Sequence, residues 1–247
     1  MLLATLAGGL DAFGLGFSLL FLTLAHICFQ PNIKHQPLLL WGLMLFSAIL
    51  MLHLLPGFNN QSVWEARQIS VNAVPHSLNL NFDKLLVGVV LLPLLLSRDK
   101  QGASASHRQL SLLTIFAIVF VLSVVTTLAV GMMLFDVIGW DPKLPRGWYW
   151  FVALNIGITV VAEESLFRGL LQQFFTKRFG IVGVLITTLL FGLVHLPGGL
   201  QWLVLSTIAG AGYGLAYYYG RSILAPIAVH AALNLTHFFL FTYPMKA

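Results

Sequence analysis

Glu163 and Glu164 stand side by side inside an apolar run, Trp148 to Phe175, that is long enough to cross a bilayer. An ionised carboxylate in hydrocarbon costs roughly 2.5–10 kcal/mol. Two adjacent ones therefore have to face a protein interior or a wet cavity. Arg168 follows Glu164 by four residues, so the two share a helix face, with the acid first, the better order for pairing. Glu163 lies about 100° around the helix and is left for another task. The plain alternative is that both acids neutralise Arg168, but one acid suffices for that.

The remainder of the chain is of the same kind. Of 247 residues, 58% are hydrophobic and only 9% charged, with a mean hydropathy of +0.89. A soluble domain carries about 25% charged residues, so the sequence reads as an integral, multi-pass membrane protein. The net charge of +5 comes from basic residues mostly in short loops, the usual flank of membrane helices. No basic patch with interleaved aromatics points to nucleic acid. The single cysteine, Cys28, excludes an internal disulfide. The N-terminus lacks a basic n-region and reads as a first membrane helix rather than a signal peptide.

About 20 apolar residues make a span, and on that template eight are expected. They run over 2–28, 37–55, 84–97, 111–135, 148–174, 181–196, 201–219 and 223–243. The fold class is thus an all-α polytopic bundle forming one domain over 1–247. The longest polar stretch, 57–83, is expected to carry a surface helix around Val63–Val74. The sixth span ends at His195-Leu196-Pro197-Gly198-Gly199, a breaker cluster. Irregular backbone at that depth has to be buried or line water, so a cavity is expected beside His195. On these spans His195 lies nearer one membrane face than Glu163. For the two to meet, the sixth helix has to extend past the break or the fifth has to begin on the membrane surface.

His230 and Asn234 are four apart on one face of the last span, and His237 shares that face. Taken singly, a histidine at a helix end is more often a packed donor, and a membrane asparagine is more often interhelical glue worth about 1 kcal/mol. His237 reads as a bystander. Gly210, Gly212 and Gly214 in the seventh span allow close helix packing. Tyr217, Tyr218 and Tyr219 read as an interfacial belt, and Asp11 has a structural or interfacial duty.

Together these residues form a recognisable set. Glu163-Glu164-Ser165-Leu166-Phe167-Arg168 resembles the EExxxR motif of the CPBP family of CAAX-protease and bacteriocin-processing (Abi-type) membrane proteins. Phe191 to His195 resembles its FxxxH motif, and His230 to Asn234 its HxxxN motif. The resemblance covers about 148–240. It implies an eight-helix intramembrane protease of the glutamate type, in a prokaryotic inner membrane. Its expected substrate is a membrane-associated peptide or a lipidated or tail-anchored protein, cut near the membrane-embedded C-terminal tail.

In the mechanism expected from these residues, Glu163 is the general base and His195 orients the water. His230 and Asn234 donate to the oxyanion, and Glu164 and Arg168 support them. No cofactor is obligatory. The same Glu163, His195 and His230 could instead bind Zn²⁺ with a water in the fourth position, although HExxH is absent from the sequence. Proton-relay transport and a non-catalytic immunity protein are the remaining readings. Transport lacks support from repeated halves or paired broken helices.

Overall fold

In a computed structural model of the chain, residues 5, 8–30, 36–102 and 112–247 are described. The starts of the first and fourth expected spans and most of the loop at 98–109 lie outside them. Eight long helices are present among the described residues. They are α1 (Ala12–Cys28), α2 (Gln36–Met51), α3 (Phe82–Gly102), α4 (Leu112–Val119 continued by Phe120–Val125 and Thr126–Met133), α5 (Trp148–Phe179), α6 (Val182–Leu193), α7 (Leu200–Gly220) and α8 (Leu224–Leu240). The all-α reading holds. Two of these stretches, Ala12–Phe29 and Trp148–Phe179, are long and apolar enough to cross a bilayer by themselves. Gln36–Met51, Ala117–Met133, Val182–Leu193 and Leu224–Leu240 are apolar but shorter.

Two expectations change. The first helix does not run unbroken from residue 2. Asp11 caps it, its Oδ1 accepting from the backbone N–H groups of Phe13 at 2.8 Å and Gly14 at 3.0 Å, as an N-terminal carboxylate should. That is the structural duty of Asp11. The surface helix expected around Val63–Val74 is instead a β-hairpin, β1 (Gln61–Arg67) antiparallel to β2 (His76–Leu80), with Trp64 opposite Leu78. Val63, Trp64, Val71 and Val74 favour extended backbone. Asn72 turns the chain at φ +56, a conformation asparagine tolerates, and Pro75 has no N–H to give a helix.

The hairpin lies over the start of α5 and the end of α8. Trp64 stacks on Phe238 at 6.4 Å, and Phe238 stacks on Phe151 at 3.8 Å. Beyond α8, the segment from Phe241 onward runs alongside the loop after α4 and the hairpin turn. Thr242 donates its N–H to the Gly139 carbonyl, Lys246 to that of Val137, and Val74 to that of Met245.

The turn between α5 and α6 sets how Glu163 and His195 come to line one cavity. The fifth helix continues five residues past its expected end, to Phe179, and Gly180 turns the chain at φ +56. Glu163 lies 17 residues before Gly180 and His195 lies 15 after it, and the two antiparallel arms bring both to the wall of one cavity. The sixth helix does not extend past the break: it stops at Leu193, and Leu196–Gly198 form a 3₁₀ turn. The arms pack closely because Gly183 has no side chain. A Cβ there would stand 2.4 Å from the backbone N of Thr176.

Gly183→Ala is therefore expected to lower stability by about 1–3 kcal/mol, the usual range for overpacking. Gly16→Ala in α1 meets nothing within 4 Å and is expected to be neutral or stabilising by up to about 1 kcal/mol. Thermal unfolding in detergent compares the two.

His76 supplies a pH test of the hairpin. Burial pushes its imidazole down to about 4 from 6.5, and its Nε2 finds no hydrogen-bond partner among the described residues. The fold holds the neutral ring, so the unfolded chain takes up a proton first as pH falls. Stability present above about pH 6.5 is expected to fall between there and pH 4. His76→Phe is expected to flatten that slope in unfolding midpoints measured across the range.

Candidate active site

One face of α5, the end of α6 and the middle of α8 bring the polar residues together. Asn155, Thr159 and Glu163 recur at four-residue steps along α5, and all three line one cavity of about 210 Å³. His195 at the end of α6 and His230 and Asn234 on α8 line the same cavity. Much of α5 there, Val152–Val160 and Ser165–Gln172, is wound as π-helix, with a short α turn carrying Glu163 and Glu164 between them. Such wide turns recur at functional sites because they re-aim side chains along a helix.

Glu164 turns away from the cavity. It is fully buried, with Oε1 2.7 Å from His230 Nδ1 and Oε2 3.3 Å from Arg168 Nε. The expected pairing with Arg168 is present, and the link to His230 is an addition that sequence spacing does not give. Arg168 is also fully buried. Its Nη2 donates to the Gly210 carbonyl at 3.2 Å, and its guanidinium lies 4.7 Å from the Phe191 ring centroid. Gln172, one turn further along, donates to the Gly214 carbonyl at 2.8 Å. The seventh-span glycines thus do more than permit close packing, since they open backbone carbonyls to two polar side chains of α5. A Cβ at Gly210 would meet the Phe191 ring at 2.9 Å.

The two histidines are held differently. His195 Nδ1 lies 2.8 Å from the Phe191 carbonyl. A carbonyl only accepts, so Nδ1 carries the proton, and Nε2 of the neutral ring is an acceptor. This contact gives the four-residue Phe191–His195 spacing a physical meaning. His230 stacks on Tyr213 at 4.3 Å and 15°, with Nδ1 engaged by Glu164. Its Nε2 donates only when the ring carries both protons.

Glu163 is not left alone, because Lys84 Nζ stands 3.8 Å from its Oε1. Gly88, one turn after Lys84, lets α3 approach α5 at Val161 and Ala162, and this sets Lys84 beside the carboxylate. Lys84 reads in the sequence as a flanking charge, and nothing in its spacing reveals the contact. Asn155 and Tyr213 are also additions. Asn155 had a signal, a polar residue two helical turns before Glu163 in an apolar span. Tyr213 had none beyond its place between two glycines.

Asn234 Nδ2 donates to Asn155 Oδ1 at 2.8 Å. His237 lines the cavity, with its Nε2 3.1 Å from the Thr242 carbonyl oxygen. Glu163, His195 and His230 line the same cavity, and among the described residues no group of three His, Cys, Asp or Glu is placed to hold a metal ion.

The buried charge cluster predicts an asymmetry. Arg168→Met takes from the buried Glu164 carboxylate its permanent cation, leaving only His230 beside it, and is expected to cost about 3–5 kcal/mol. Adding Glu164→Gln removes the stranded charge and is expected to recover part of that loss. Unfolding midpoints of the single and double variants in detergent measure it.

Residues 145–236 match the family described as Type II CAAX prenyl endopeptidase Rce1-like. No curated protein and no solved structure matches the chain.

Proposed function

We propose that this chain, whose segment 145–236 matches the family described as Type II CAAX prenyl endopeptidase Rce1-like, is an intramembrane endopeptidase of the CAAX-protease (CPBP) kind. Its substrate is a membrane-associated peptide, or a lipidated or tail-anchored protein, cut near the membrane-embedded C-terminal end. The observation that carries this reading is the shared cavity, whose wall includes Glu163, His195, His230 and Asn234.

Peptide hydrolysis needs a water stripped of a proton, a route for that proton, and donors for the oxyanion. Glu163 takes the proton. His195, with its acceptor Nε2 fixed by the Phe191 carbonyl, holds the same water. The attacking oxygen forms the new C–O bond, and the carbonyl π electrons move onto oxygen. His230 Nε2, in the form of the ring that carries both protons, and the amide of Asn234 receive that charge. Collapse of the intermediate breaks the C–N bond, and Glu163 returns its proton to the leaving amine. Arg168 and Glu164 keep His230 in place from the buried side.

No obligatory cofactor enters this proposal. The same proposal makes it a multi-pass protein of a prokaryotic inner membrane, with no nucleic-acid partner.

Glu163→Gln keeps the shape and removes the base. With membrane peptides and purified protein, mass spectrometry is expected to show cleavage by wild type and a loss of about 10²–10⁴-fold in the variant. Cleavage by the variant at the wild-type rate would remove Glu163 from its role. Exhaustive chelation is expected to leave the wild-type rate unchanged, whereas a loss restored by added Zn²⁺ would favour a metal route.

A further inference from the structure

Asn155 and Asn234 face one another across α5 and α8, in the wall of the cavity. An asparagine amide has two opposed ends of nearly equal size. Only the NH₂ end can stabilise an oxyanion, because the carbonyl end would repel it. Rotation by half a turn about the last side-chain bond exchanges the two ends at small steric cost. Some neighbour has to decide which end faces the reaction. The 2.8 Å contact joins the two amides in one such arrangement, with Asn155 Oδ1 accepting from Asn234 Nδ2. It spends one amide hydrogen, keeps the nitrogen on the side of α5, where Glu163 stands, and leaves the second hydrogen for another acceptor.

We propose that Asn155 is a positioning residue: its side-chain oxygen sets the orientation of the Asn234 amide, so that Asn234 meets the reacting carbonyl as a donor. The inference rests on the reading of Asn234 as an oxyanion donor. Asn155 comes from the π-wound stretch of α5, two four-residue steps before the proposed base. One helix therefore supplies both the group that activates water and the group that aims the oxyanion donor.

The competing role is interhelical glue, a hydrogen bond that holds α5 to α8 and nothing more. Glue and positioning differ in kinetics. The test uses full-length protein and the peptide that wild type cuts in the mass-spectrometry panel, with Asn155→Leu, Asn234→Leu and the double variant. Asn155→Leu is expected to lower kcat about tenfold with KM within twofold, a smaller loss than deleting an oxyanion donor itself. In the Asn234→Leu background, adding Asn155→Leu is expected to change kcat by less than about twofold, because no amide remains to aim.

Losses that multiply in the double variant, or a loss confined to KM, would overturn the inference. A conservative pair covers the case in which leucine disturbs folding. Asn155→Asp keeps an oxygen acceptor and is expected to hold kcat within about threefold of wild type, and Asn155→Ala is expected to match the leucine loss. Equal losses in Asp and Ala would also overturn it. If wild type cuts nothing in the panel, the protease reading falls and takes this inference with it. If wild type cuts and the losses multiply, the inference alone falls.

Discussion

A fully buried guanidinium holds this site in place. Arg168 cannot be desolvated without compensation, and the compensation reaches three helices at once. It pairs with Glu164 one turn back on α5, takes a backbone carbonyl from α7, and rests against the Phe191 ring of α6. Through Glu164 the arrangement extends to His230 on α8. Every helix that contributes a group to the cavity from the matched segment is therefore tied to one charge. The adjacent carboxylates divide the work: Glu164 serves the interior, and Glu163 is left on the cavity wall.

Phe191 is the apolar counterpart of that arginine. Its ring packs 5.0 Å from Phe167, 5.9 Å from Tyr213, 6.0 Å from His230 and 4.7 Å from His195. Its backbone oxygen sets the tautomer of His195. A single residue thus fills the space between the charges and orients one of the groups they surround. The glycines of α7 complete the arrangement, because close approach is what exposes the carbonyls that Arg168 and Gln172 require.

Much of this was legible in the sequence, and the rest was hidden for identifiable reasons. The eight helical stretches follow from runs of apolar residues, and the 163, 195, 230 and 234 positions stand out because polar groups in such runs have no cheap place to go. Four-residue spacing gave the Glu164–Arg168 pair directly. It could not give Glu164–His230 or Lys84–Glu163, which join helices far apart in sequence and depend on rotation about each helix axis. Hydropathy marks the ends of the fifth and sixth stretches only loosely, whereas the Gly180 turn sets the register of Glu163 against His195. The hairpin is not distinguished from a helix by pattern, because polar segments lack the apolar period that separates the two. There, Asn72 and Pro75 were the stronger evidence.

The hairpin of α5 and α6 makes the site sensitive to chain length in an uneven way. Both reacting levels are measured from one bend, so residues added within the bend would displace its tip and leave the facing pair in register. A residue gained or lost within either arm would slide one partner about 1.5 Å and swing it about 100° relative to the other. Natural length variation in proteins built on this plan should therefore collect at the bend and in the loops beyond the break after His195. The stretches between Glu163 and Phe179, and between Val182 and His195, should keep a constant count.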